Sequence, residues 1–177
     1  MLQHDLLITV LRVLIGTLFV GHGAQKLFGW FGGAGLNASS QWMAGLGLRP
    51  ARLWATIAAL GEFGGGLMFA VGLLTPVASA LLVASMLVAI FLANGAKGLW
   101  NTKGGYEYNL VLLASAYVIG GLGPNQYTLD QWIAWPWAYA TLFAVSMVVA
   151  IAGAVIAIVT ARTQQQPSET NRDRLTT

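Results

Sequence analysis

The sequence predicts an all-α membrane protein: a four-helix transmembrane bundle, a fifth C-terminal transmembrane helix and a short interfacial helix. Three observations carry this prediction. Apolar side chains make up 56% of the 177 residues, and the mean hydropathy is +0.67. Charged residues make up only 8%, against about 25% in ordinary soluble domains. The apolar residues also gather in five long runs, none of which alternates over about ten residues as a spanning barrel strand must.

A spanning helix needs about 20 apolar residues, because the hydrocarbon core is about 30 Å thick and each helical residue rises about 1.5 Å. The first run, residues 6–28, is interrupted only by Arg12, His22 and Lys26. No Ala-x-Ala-type cleavage site follows it, so it is expected to be a retained helix. A Gly-rich stretch, residues 29–35, leads to residues 37–48, with Trp42, Met43 and Leu46 on one side. That pattern predicts a short helix in the membrane interface, capped by Asn37 or Ser39 and ended by Gly47 and Pro50. The second span, residues 53–74, is broken by Glu62. The turn Leu74-Thr75-Pro76 feeds directly into the third, residues 77–93, which holds no charge. After a Gly- and Lys-rich connection, the fourth span is short, residues 106–122, with Glu107 at its start. The next connection, residues 123–136, has turn residues and Asp130 but no basic residue; the fifth span follows at 137–161 and stops at Arg162. The chain therefore divides into a four-helix membrane domain (1–133), an added transmembrane helix (134–161) and a polar tail (162–177) expected to be disordered.

Orientation follows from Lys and Arg near the helix ends. Lys26, Arg49, Arg52, Lys97, Lys103, Arg162, Arg172 and Arg174 fall on one side, and only Arg12, itself inside a helix, falls on the other. This bias predicts an N-terminus outside and a C-terminus in the cytoplasm, in a bacterial-type inner membrane. The lipid bilayer is the first partner. The net charge of +3 is scattered among apolar runs, which excludes a basic face for nucleic acid. With no cysteine and two histidines, the sequence carries no disulfide framework, thiolate site, iron–sulfur ligation or haem pair, no usual zinc set and no flavin fingerprint.

An ionisable group inside a span costs about 2.5–3.5 kcal/mol on insertion scales, so it faces a partner or a cavity. At 100° per residue, Arg12, His22 and Lys26 fall within an arc of about 80° on the first helix. Glu62 is their natural counter-charge, about 15 Å deep in the second span and expected between the levels of Arg12 and His22. Gly61, Gly64, Gly65 and Gly66 around it would admit a close backbone or a cavity. With Glu107, these residues predict a pocket drawn from three helices, with Glu62 and His22 as its candidate catalytic residues and Arg12, His22, Lys26, Glu62 and Glu107 as its candidate binding residues. Structural roles compete with each assignment. An Arg12–Glu62 pair can serve only to set register, His22 can bond a carbonyl, Lys26 can snorkel to the headgroups, and Glu107 can answer the helix dipole. The tryptophans suit an aromatic belt.

The same residues resemble a known family. Arg12, the run from Gly21-His22-Gly23 through Lys26-Leu27-Phe28-Gly29, Glu62 with Gly65-Gly66, and Gly72-Leu73-Leu74-Thr75 are similar to the DoxX family. So are Gly98-Leu99-Trp100, Gly104-Gly105-Tyr106-Glu107-Tyr108-Asn109 and the closing turn from Gly123 to Asp130. The resemblance covers residues 6–133 and implies a four-helix bundle, with the fifth helix as a departure expected to pack outside it. It also implies association with thiosulfate:quinone oxidoreductase. That would make this chain a quinone- or small-anion-binding subunit, with electrons passing between bound substrates or through another subunit. The alternatives are an accessory or assembly subunit that docks a larger membrane complex through residues 137–161, and, lower in rank, a small transporter, since no pair of broken helices repeats in matching halves.

Overall fold

The computed structural model describes residues 2–133 and 135–165. Six α-helices make up the structure, and no strand occurs among the described residues. They are α1 (Leu2–Leu27), α2 (Gly35–Gly45), α3 (Ala51–Val71), α4 (Thr75–Val88), α5 (Glu107–Leu122) and α6 (Tyr139–Gln165). A π-helical turn, Ala89–Asn94, and a 3-10 turn, Gly95–Lys97, prolong α4, so its apolar run extends over Thr75–Lys97. Among the described residues, four helices are long and apolar enough to cross a membrane: α1, α3, the prolonged α4 and α6. At 16 residues α5 is shorter. Its first turns are completed by the preceding loop, where Tyr106 and Glu107 donate their N–H groups to the carbonyls of Gly98 and Leu99. The protein is an all-α, multi-pass integral membrane bundle.

Lipid tails are as apolar as leucine, so helices in a membrane associate by close packing and not by burying oil from water. The α1–α3 crossing shows this most clearly. A Cβ on Gly16 would stand 2.7 Å from the Gly66 carbonyl oxygen and 2.8 Å from the Ala70 Cβ, and one on Gly23 would collide with the Phe63 backbone. Hydrogen at these positions lets the two backbones touch. Phe19 and Phe69 fill the space beside the crossing and are fully buried, with Leu82 of α4 and Leu112 of α5 in the same core. Between α4 and α5, the buried Ser79 hydroxyl donates to the Ala116 carbonyl at 2.7 Å.

Two placements are fixed more firmly than the sequence indicates. The short helix α2 is anchored to the bundle: Met43 and Leu48 are buried against Ala55 of α3 and Ala157 and Ala161 of α6. The added helix α6 lies on the outer side of the bundle and is fastened to it at several points. It packs along α4, its Ala161 carbonyl sits against Gly47 so closely that no Cβ would fit there, and at its other end the Tyr139 hydroxyl donates to the Gly120 carbonyl at 2.7 Å. Small residues on its inner face, Ala154, Ala157 and Ala161, permit that approach. The helix also runs through Arg162 to Gln165; the remainder of the expected polar tail, 166–177, lies outside the described residues.

Candidate functional site

The five ionisable residues singled out in the sequence do not share one hollow. Lys26 and Glu62 form an ion pair, whereas Arg12 lies about 21 Å further along α1, fourteen residues at 1.5 Å each. The reason is helix register. The α1 helix ends at Leu27, while α3 begins eleven residues before Glu62. The loop after α1 and the helix α2 therefore occupy the level that the first turns of α3 span. This brings Glu62 opposite the last turn of α1 and places Gly72, not Glu62, against the Arg12 guanidinium.

Arg12 is 2% exposed. Its Nη2 donates to the Tyr127 carbonyl at 2.9 Å, and the charge of Asp130 acts on it from nearby. Asp130 is the residue that sequence reasoning passed over, although a lone carboxylate in a connection without basic residues was the signal. Buried in the α5–α6 connection, it accepts hydrogen bonds from the Leu74 and Thr75 amides at 2.7 and 2.8 Å. The Thr75 hydroxyl and the Trp135 indole donate to it at 2.6 and 3.2 Å. These donors include the opening amides of α4, which otherwise lack partners. Leu74 takes a left-handed backbone conformation, φ 46°, uncommon for a residue with a branched side chain, and its amide is held there by Asp130. The Arg12–Asp130 region is thus a fastening across the α3–α4 turn.

Glu107 accepts from the Asn101 amide at 3.0 Å in the loop before α5 and sits in that helix's first turn, where a carboxylate suits the dipole. His22 faces α5. Its Nδ1 stands 3.4 Å from the Gln25 Oε1 and its Nε2 3.3 Å from the Tyr108 hydroxyl. An amide oxygen only accepts, so the Nδ1 side of the ring donates to Gln25, and Nε2 meets the Tyr108 hydroxyl. Because both contacts are long and partly exposed, Tyr108→Phe is expected to cost no more than about 1 kcal/mol. Thermal unfolding checks this, and a larger loss would mean that the pair braces α1 against α5.

Lys26 and Glu62, by contrast, border a cavity of about 410 Å³, within the range of about 300–1,000 Å³ typical of small-molecule sites. Its floor is α4, through Leu81, Ala84, Ser85 and Val88. One wall is α3 with Ile57, Ala58, Gly61 and Glu62; the other is α6 with Val149, Ala150, Gly153, Ala154 and Ala157. Trp42 and Met43 of α2, with Leu46 just beyond its end, close one end. Ile57, Leu81, Val149 and Ile156 of the lining remain exposed on the bundle's apolar exterior, so the cavity opens sideways toward lipid. Glu62 is 2% exposed, and the Lys26 side chain 27%. Among the described residues the pair supplies the only charges lining an apolar slot, and together they are neutral. Among the described residues no group of three His, Asp or Glu side chains is placed to hold a metal ion.

The family model described as DoxX matches residues 7–95, which holds α1 to α4 and with them both members of the ion pair. The closing turn and α6 lie beyond the match. No curated protein matches the chain, and no solved structure does.

Proposed function

This chain belongs to the DoxX family, and from that premise we propose that it is a quinone-binding subunit of a membrane oxidoreductase. One observation carries the reading: a buried glutamate ion-paired to a half-buried lysine in an otherwise apolar cavity that opens to the bilayer. A quinone needs a flat apolar slot, a donor for its carbonyl oxygen and a group that exchanges protons. Lys26 is the donor in this reading, and Glu62 the proton carrier. Neutrality favours a quinone over a small anion such as thiosulfate, because Glu62 cancels the attraction of Lys26 and a dianion would lose its water for no net charge in return. The chain's part is to bind and orient the ring and to move protons. Electrons arrive from a second bound substrate or from a partner subunit. The positive-inside bias supports a position for the pair in the cytoplasmic half of an inner membrane.

Trp42 and Trp54 line the cavity, so binding can be followed by their fluorescence, which a quinone quenches. Titrating the purified full-length protein with a decyl-tailed benzoquinone is expected to give saturable quenching that shrinks in the Trp42→Phe/Trp54→Phe variant. Quenching that rises without saturation, equally in both proteins, would refute a defined site.

A further inference from the structure

Beyond the binding reading, and resting on it, we propose that Gly153 of α6 is the specificity-determining notch through which the ligand's apolar tail leaves the cavity for the bilayer. The argument begins with the rim. Val149, Gly153 and Ile156 follow one another at helical i, i+4, i+7 spacing along one edge of α6, and all three line the cavity. Val149 and Ile156 are 66% and 61% exposed, so this edge is also the boundary with lipid. Between two branched side chains, residue 153 presents no side chain at all. A Cβ there would meet nothing within 4 Å, so packing does not demand the glycine, unlike Gly16 or Gly23 in the α1–α3 crossing. Glycine also weakens a helix relative to alanine. Its presence at the mouth leaves a gap beside the slot whose polar end is the Lys26–Glu62 pair. A ligand with its head on that pair and its tail in lipid must cross the rim, and the gap at 153 is where the rim is lowest. Since α6 lies beyond the family match, this selectivity would be a property of the chain's added helix.

The test uses the purified full-length protein, a decyl-tailed benzoquinone and the same ring without its tail. Gly153→Leu is expected to weaken the tailed quinone by about tenfold or more, because the new side chain fills the gap that the tail must cross. The tailless ring should lose less than about threefold. Ala152→Leu, one residue away on the exposed face of α6, should leave both unchanged. Thermal unfolding confirms that each variant is folded, and Gly153→Val or Gly153→Ala gives a graded series should the leucine not be tolerated. Equal losses for the two ligands, or no loss for either, would overturn the notch while leaving quinone binding intact. If the native protein binds neither ligand, the quinone reading and the notch fall together.

Discussion

Asp130→Ala is expected to destabilise the protein by about 3–5 kcal/mol, the cost of removing one partner from a buried charged network. Four hydrogen bonds end on this carboxylate: the amides of Leu74 and Thr75, the Thr75 hydroxyl and the Trp135 indole. Without it, the part-buried Leu74 amide and the buried Thr75 amide at the start of α4 have no acceptor, and Leu74 loses the bond that holds its left-handed conformation. Arg12, 2% exposed, is left without a nearby negative charge. For a chain of this size each kcal/mol moves the melting temperature by about 2–4 °C, so a drop of roughly 10 °C follows. Asp130→Asn keeps one acceptor oxygen and should lose about half as much. Melting of the purified protein in detergent decides the matter: a fall of less than about 2 °C for the alanine variant would mean that the turn is held by other contacts.

The second large effect belongs to Lys26. Lys26→Met strands the Glu62 carboxylate, and breaking a buried pair in this way costs about 3–5 kcal/mol. Because the Lys26 end reaches solvent, with 27% of its side chain exposed, the lower figure applies. Glu62→Leu should cost less, about 1 kcal/mol, since the lysine stem can snorkel outward. The double variant Lys26→Met/Glu62→Leu replaces the pair by apolar side chains of similar bulk and should recover most of the stability. Saturable quinone quenching, however, should disappear in it. This combination separates a structural pair from a functional one. A double variant that is stable and still binds the quinone with native affinity would show that the pair only sets helix register.

Much of the architecture was legible in the sequence, because a bilayer leaves the chain few choices. Runs of apolar residues must become helices whose backbone groups are satisfied internally, and residue counts against membrane thickness then locate them. The limits lay at the edges. Span four is a 16-residue helix completed by a folded loop, and Met43 and Leu48 anchor the α2 segment against α3 and α6. Of the site, Lys26 and Glu62 were visible as charges inside spans, which lipid does not tolerate without partners. Their pairing was not visible. Counting depth from each helix end assumes that all ends lie at one level, and the α1 end does not.

From composition and periodicity alone come the membrane setting, the number and order of the helices, and the demand that each intramembrane charge find a partner. Tertiary structure alone decided which partner. Arg12 went to the 127–130 turn, His22 to Tyr108 and Lys26 to Glu62, because the glycine contacts between α1 and α3 set a register that no one-dimensional pattern encodes. It also made α6 a wall of the cavity, since the match of its small inner face to α4 and Gly47 depends on surfaces that exist only once the bundle has assembled.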